Sequence, residues 1–146
     1  MRIRTRGIPN SITRSLCKES VKFYANELLG TRLAKNVSVT LIFEDLPTMV
    51  NALCQWEDDN HKCRSFLVIL NKKMNKKTTL IALAHEMVHI KQYARGELKD
   101  YLRNNNVKWR GKVFCLDKVE YWSSPWEKEA YKKDKLLYEK FKQRNR

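Results

Sequence analysis

Several features that would assign a protein to a membrane, an export route or a cysteine-rich class are missing from this sequence of 146 residues. No apolar run approaches the length that spans a membrane, and the basic residues at the start are not followed by the apolar segment of an export signal. The four cysteines include no C-x-x-C pair, which argues against a zinc ribbon and favours free thiols. These absences favour a cytoplasmic protein that makes no membrane contact.

Acidic residues are scarce, with 16 Asp and Glu against 30 Lys and Arg, and the formal net charge is +14. Such a positive field raises the local concentration of polyanions, so non-specific contact with nucleic acid is one interpretation. The other interpretation is that the lysines form a solvated surface that serves solubility. No RNP sequence or zinc-finger pattern occurs, and any contact with DNA or RNA is therefore expected to be independent of base sequence.

The composition, 42% hydrophobic and 32% charged, is typical of a folded chain, and the length suits one domain. We expect residues 1–146 to form that domain, with residues 1–10 as an exposed basic arm. The spacing of apolar residues predicts an α+β fold. Its expected elements are helices at 11–29, ending at Gly30, and at 125–141, strands at 37–43, 49–56 and 65–70, and a hairpin over 107–114.

Histidine is also scarce, yet two of the three histidines lie in one apolar segment, residues 79–90, which contains an H-E-x-x-H motif. Apolar residues recur there at spacings of three and four, so the segment is predicted to be a helix, capped by Thr78 or Thr79 and ending at Gly96. On a helix, His85 and His89 lie on one face and can bind a single Zn²⁺ ion.

Glu86 follows the first histidine and is rotated from it by about 100° around the helix axis. This rotation places its carboxylate beside the metal, where it can act as the general base toward a water molecule that the metal activates. The alternative is that His85 and His89 are ordinary helix residues whose ring nitrogens are satisfied by neighbours. A helix this apolar has no other evident reason to hold a His-Glu-His set.

A catalytic zinc site usually has three protein ligands and one open position, so a third ligand must lie elsewhere. The remaining histidine, His61, lies in an acidic turn, where a surface role is favoured. Because no histidine follows His89, a carboxylate is expected, and Glu127 and Glu129 at the start of the last helix are the candidates. They point about 200° apart, so only one can reach the ion. The apolar stripe of that helix lies somewhat nearer Glu127.

A resemblance to known peptidases favours the other glutamate. The run from Trp126 to Ala130, W-E-K-E-A, is similar to the W-x-x-E-G run of gluzincin aminopeptidases and to the E-x-E-A segment of the ImmA/IrrE peptidases. This resemblance implies that Glu129 is the third metal ligand, together with His85 and His89, and that Glu127 lies behind the ligands or at the surface.

The same segment, paired with the upstream run W-R-G-K, resembles small phage-encoded SprT-like metallopeptidases over roughly residues 65–135. The resemblance implies a minimal zincin-like fold, in which a small twisted sheet, the H-E-x-x-H helix and a closing C-terminal helix form a zinc peptidase of the host cytoplasm. Its substrate would be a protein or peptide. The chain differs from cellular SprT and Spartan proteins in having no histidine after His89 and no cysteine ribbon. The alternative is a basic nucleic-acid- or host-protein-binding module with a structural zinc.

Two further expectations concern the substrate. An extended peptide is expected to add as an edge strand beside residues 66–70, a common mode of peptide capture. Tyr121, Tyr131 and Arg110 are candidates for stabilising the oxyanion, and a structural role is the alternative for each.

Overall fold

The computed structural model of the chain describes residues 1–58, 62–101 and 105–144 and has an α+β architecture, which confirms that part of the sequence-based fold class. Three helices and two sheets are present in these ranges, together with a 3-10 turn at Tyr121–Ser123. The elements in chain order are β1 (Arg2–Arg6), α1 (Arg14–Ala34), β2 (Ser38–Glu44), β3 (Ala52–Trp56), β4 (Ser65–Asn71), α2 (Lys76–Ala94), β5 (Leu98–Tyr101), β6 (Asn106–Trp109), β7 (Lys112–Cys115) and α3 (Pro125–Arg144).

The larger sheet has the strand order β1-β2-β4-β3, in which β1, β2 and β4 are parallel and β3 is antiparallel to β4. Alternate residues of the two central strands are buried, as the period of two in a strand requires. Val39 and Leu41 of β2 lie in register with Phe66 and Val68 of β4, and all four belong to the main core. The residues between them, such as Thr40, are only half-buried on the opposite face.

Two strands lie in positions that differ from the expectations. Residues 1–10 are not an arm throughout, because Arg2–Arg6 pairs in parallel with β2 and Ile3 packs against the core. Residues 66–70 are not at an edge, because β4 lies between β2 and β3. The order of strands depends on contacts between distant segments, which the apolar pattern of one segment does not specify. The edge strand on that side of the sheet is β3.

Helix α1 packs against α2; it begins at Arg14 rather than at residue 11 and extends to Ala34, beyond the expected end at Gly30. The side chain of Thr13 accepts a hydrogen bond from the Leu16 amide, as an N-cap does. Gly30 interrupts the helical conformation with φ 78° and ψ 156°. Between these points the hydroxyl of the fully buried Tyr24 donates to the carbonyl of Leu80 at 3.0 Å, which ties α1 to α2.

Helix α2 is buried on almost all sides. It begins earlier than expected, because Asn75, and not Thr78 or Thr79, is the N-cap, and its side chain accepts from the Thr78 amide at 2.8 Å. Gly96, with φ 72°, follows its last turn as expected. Because residues on nearly all faces of α2 are buried, the H-E-x-x-H motif lies in the core of the molecule.

The second sheet is a three-stranded antiparallel meander, β5-β6-β7. Its β6–β7 hairpin turns at Arg110 and Gly111, which both have positive φ, as in the two-residue turns that hairpins favour. This agrees with the expected hairpin over 107–114, whereas β5 was not expected. Leu98 and Trp109 pack with Trp126 of α3 in a small core of their own. The four cysteines are free.

Gly7, directly after β1, generates a prediction about stability. It has φ 73°, and a Cβ atom at this position would lie 2.9 Å from the carbonyl oxygen of Phe43. We expect Gly7→Ala to lower the free energy of unfolding by more than the roughly 1–2 kcal/mol that left-handed strain costs alone. Gly111→Ala is the matched control, because it has φ 88° and open space around it. Equal losses in denaturant titrations of both variants would show that the contact with Phe43 has no effect.

Candidate metal centre

The first turn of α3 brings one carboxylate between the two histidines of α2. Glu127 Oε1 lies 3.0 Å from His85 Nε2, and Glu127 Oε2 lies 3.0 Å from His89 Nε2. All three side chains are buried, with residue exposures of 5–7%. These polar groups come from two separate helices but can be buried together, because each provides the hydrogen-bond partner that the others need.

Glu129 does not reach the histidines. Its carboxylate lies 3.0 Å from Lys91 Nζ, 2.9 Å from Gln92 Nε2 and 3.1 Å from Lys133 Nζ. Burial raises the pKa of Glu129, but the hydrogen bonds from these three residues outweigh it and lower that pKa to about 2. The structure therefore brings Glu127, and not the expected Glu129, to the two histidines.

The physical reason is the rotation of an α-helix by about 100° per residue, which turns the side chain of Glu129 about 200° from that of Glu127. The face of α3 that contains Trp126, Ala130 and Phe141 is packed into the protein. Glu127 is adjacent to this face and is carried with it against α2. The apolar stripe was the better guide, and the local match to a family motif was misleading.

Each histidine ring is held from behind by a polar side chain that sequence reasoning missed. His85 Nδ1 lies 3.3 Å from Asp134 Oδ2, and His89 Nδ1 lies 2.9 Å from Gln92 Oε1. Gln92 is three residues after His89 on the same helix face, and Asp134 is two turns beyond Glu127 on α3. The spacing of Gln92 and Asp134 along their helices was the sequence signal that could have identified them. With both Nδ1 atoms engaged, both rings present Nε2 to Glu127.

The mutual contacts shift the acid–base properties of the three central groups. Burial lowers the pKa of His85, but the hydrogen bonds to Asp134 and Glu127 outweigh it and raise the pKa to about 9. Burial lowers the pKa of His89, but the hydrogen bonds to Glu127 and Gln92 and the charges of Glu86 and Glu127 together outweigh it and raise that pKa. Burial raises the pKa of Glu127, whereas its hydrogen bonds to His85 and His89 lower it to about 2. Without a cation, protons on the rings therefore balance the carboxylates.

Glu86 is buried as well, with a residue exposure of 7%, and it faces the cleft beside the histidines. Burial raises the pKa of its carboxyl group, the charges of His89 and His85 lower it, and the charge of Glu127 raises it, with a net increase. Glu86 makes none of the contacts that join Glu127 to the rings. The structure thus separates the Glu86 carboxylate from the carboxylate that binds the histidines.

The donor set is suited to a zinc ion. One atom each from His85, His89 and Glu127 lie within 4.8 Å of one another, and imidazole nitrogen and carboxylate oxygen are common zinc ligands. Within residues 1–58, 62–101 and 105–144, this group has three members. His61, for which a surface role was expected rather than metal binding, lies outside the described residues.

A cleft lies beside His85, His89 and Glu127 and opens into a cavity on either side of Glu86. A cavity of about 740 Å³ lies on the His85 side and one of about 240 Å³ on the His89 side. Ala52, Leu53 and Tyr121 form walls of both. Exposed large apolar side chains gather around the larger cavity, namely Met49, Leu53, Tyr121, Trp122 and Tyr131. Such clustering is typical of a binding surface.

The three candidates for oxyanion stabilisation are placed differently. Tyr121 lines both cavities, and its hydroxyl interacts with Tyr131 and Glu127. The ring of Tyr131 lies 4.5 Å from that of His85, centroid to centroid. Arg110, by contrast, contacts Glu129 at 3.4 Å and Glu97 at 3.8 Å, away from the two histidines.

Comparisons of the chain with models of protein families, with curated proteins and with solved structures give no match. Among the residues that the structure describes, no helix combines the length and the apolar character needed to cross a membrane. The geometry of the cleft and of its buried polar residues is therefore the basis for assigning a function.

Replacing Glu127 or Glu129 with glutamine tests which of the two carboxylates binds the metal ion. We expect Glu127→Gln to lose zinc binding, because the carboxylate between the two Nε2 atoms is removed. We expect Glu129→Gln to keep the ion with an affinity that is at most about 10–100-fold weaker. Competition with a chromophoric chelator measures both affinities. The opposite order would restore Glu129 as the ligand.

Binding of zinc is also expected to release protons. At pH 7.5 the ring of His85, with a pKa of about 9, is protonated in the metal-free protein, and a ligating imidazole must be neutral. At least about one proton per zinc ion should be released, and zinc affinity should increase as the pH rises toward 9. Calorimetry in buffers of different ionisation enthalpy measures the release. A binding heat that is the same in all buffers would contradict it.

Proposed function

We propose that this protein is a zinc-dependent metallopeptidase with a zincin-like arrangement of helix and sheet. The observation that carries the proposal is the buried Glu127 carboxylate between the Nε2 atoms of His85 and His89, with Glu86 separately placed beside them at a cleft. Two imidazoles, a carboxylate and a nearby free carboxylate are the parts that metal-assisted peptide hydrolysis needs.

In the proposed mechanism, His85, His89 and Glu127 would hold the zinc ion, which would supply Lewis acidity toward water and a peptide carbonyl. Glu86 accepts a proton from the attacking water and passes it to the leaving amine. Burial raises the pKa of Glu86 and so moves it closer to neutral pH, where a carboxyl group can both accept and return a proton. Tyr121 is the favoured donor to the oxyanion, since it lies at the cleft next to Glu127.

The edge of the larger sheet supplies a place for an extended substrate. The amide of Asn71 donates to the Asn51 carbonyl, and the amide of Glu57 donates to the Ser65 carbonyl, both at 2.8 Å. Because alternate residues of an antiparallel strand face the partner, the backbone groups of Ala52, Cys54 and Trp56 point away from β4, to the open side. Ala52 and Cys54 also line the cleft. We infer that a peptide adds beside β3 rather than beside β4.

The number of donors favours a catalytic zinc over a structural one. A structural zinc site is almost always closed by four protein ligands, whereas a catalytic site keeps a position open. Three donors form the group in the described parts of the chain, and a cleft lies beside them. This supports the peptidase proposal over a binding module with a structural zinc.

A second function, contact with a polyanion, is favoured by one surface. Arg2, Arg4 and Arg6 are exposed at alternate positions of β1 and lie on the face of the sheet that the helices do not cover. Within residues 1–58, 62–101 and 105–144 they form no ion pair with an acidic side chain. Together with the net charge of +14, this arginine row supports non-specific binding of nucleic acid in addition to peptidase activity.

The peptidase proposal is tested with zinc-loaded protein, Glu86→Gln and a proteome-derived peptide library. We expect the wild type to hold close to one zinc ion per chain and to generate new peptide N-termini, detected by labelling and mass spectrometry. Glu86→Gln should retain zinc while cleavage falls by at least about 100-fold, because the general base is lost. A wild-type protein that takes up no zinc, or equal cleavage by Glu86→Gln, would refute the proposal.

Polyanion binding is tested by reversing the charge of Arg2, Arg4 and Arg6 with glutamate. We expect wild-type affinity for a DNA oligonucleotide of arbitrary sequence to fall steeply between 50 and 200 mM salt, and the triple variant to have a smaller salt slope. Lys128, Lys132 and Lys142, exposed on α3, give a control variant with the same change in charge. If both variants lose affinity equally in fluorescence anisotropy, the arginine row is not the contact.

A further inference from the structure

We propose that Gln92 and Glu129 form a positioning pair that fixes the ring of His89 for metal binding, with Gln92 acting on the ring and Glu129 acting through Gln92. The inference rests on the proposed zinc site. It assigns a role to Glu129, the half-buried glutamate that does not reach the two histidines.

Gln92 is a fully buried amide with a partner on each side. Its Oε1 atom lies 2.9 Å from His89 Nδ1, and its Nε2 atom lies 3.0 Å from the Trp126 carbonyl and 2.9 Å from Glu129 Oε1. A backbone carbonyl and a carboxylate can only accept hydrogen bonds. The amide nitrogen of Gln92 must therefore face them, and its oxygen must face His89.

This orientation decides which nitrogen of His89 bears a proton. Since Gln92 Oε1 can only accept, His89 Nδ1 must donate. In the neutral ring the other nitrogen, Nε2, then has a free lone pair, and this is the atom that faces Glu127. Rotating the amide by 180° would place its NH₂ group against the ring and its oxygen against the Trp126 carbonyl and the Glu129 carboxylate, with loss of the two hydrogen bonds that these acceptors receive.

Glu129 is held firmly enough to orient the amide. Lys91 of α2 and Lys133 of α3 contact its carboxylate at 3.0 and 3.1 Å, and Arg110 of the β6–β7 turn contacts it at 3.4 Å. The carboxylate is thus fixed by α2, by its own helix and by the smaller sheet. Its exposed side-chain fraction is only 13%, so water does not readily replace these partners.

The two histidines differ in the kind of side chain that holds the Nδ1 atom of each ring. His85 is held by the carboxylate of Asp134, which accepts a hydrogen bond in either rotamer. His89 is held by an amide, which can donate or accept according to its orientation. A glutamine is a reliable acceptor only if another group fixes its orientation. This asymmetry explains why the half-buried, ion-paired Glu129 lies next to Gln92, whereas Asp134 needs no such partner.

The test is a double-mutant cycle on zinc affinity with Gln92→Leu, Glu129→Met and the double variant. We expect Gln92→Leu to weaken binding by about 10–100-fold. Glu129→Met should weaken it less, because the Trp126 carbonyl still attracts the amide nitrogen. The double variant should bind no more weakly than Gln92→Leu, since Glu129 acts only through Gln92. Additive losses would overturn the proposal.

Two controls separate positioning from stability. Lys133→Met removes one ion pair of Glu129 but leaves Gln92 in place, so it should alter unfolding while zinc affinity stays within about twofold. In the zinc-loaded wild type, the His89 Nδ1 proton should give an NMR signal protected from exchange with water, and this protection should be lost in Gln92→Leu and reduced in Glu129→Met.

The outcomes also distinguish this inference from the peptidase proposal. Wild-type protein that binds no zinc would defeat both. Wild-type protein that binds zinc, with Gln92→Leu binding it equally well and keeping the protected proton, would defeat the positioning pair alone. If Gln92→Leu does not fold, Glu129→Met compared with Lys133→Met still tests the proposal, because both lose an ion pair of Glu129 but only the first removes the carboxylate that orients the amide.

Discussion

The contact between Glu127 and the two histidines is the constraint on which the rest of the structure depends. It joins α3 to α2 through polar atoms inside the protein, where an unpaired carboxylate or imidazolium would be strongly unfavourable. His85 and His89 can be buried because Glu127 faces both, and Glu127 can be buried because it has two partners. This pairing and the burial of the apolar face of α3 act together to place α3 against α2, and with it one wall of the cleft.

Burial of α2 has a second consequence, because it creates a need for polar partners in a helix that is otherwise apolar. Each ring nitrogen that does not face Glu127 finds a side chain of its own, Asp134 or Gln92. Gln92 in turn needs acceptors, which Trp126 and Glu129 provide. The polar network is therefore continuous from the histidines to the exposed edge of α3, and Glu86, which faces the cleft, is left outside it.

Much of this arrangement could be predicted from short-range pattern. Spacings of three and four predicted α2 and its pair of histidines, Gly30 marked a break in α1, and apolar runs marked β2 and β4. The strand β1 was missed because alternating Arg, Ile and Thr also suits an exposed arm. Glu129 was expected beside the histidines, where Glu127 lies, because a two-residue shift on a helix changes direction by about 200° while barely changing the motif.

The sequence by itself determined which chemical groups are present and where they lie along each helix, because helical periodicity is local: His85, Glu86 and His89 must share one region of α2. Only the tertiary structure decided which face of α3 meets α2, which strand is at the edge of the sheet, and which side chains hold the histidines from behind. These depend on packing between segments that are tens of residues apart. Glu127 rather than Glu129 lies between the histidines because one face of α3 is buried against α2. A local sequence motif does not specify which face of a helix is buried.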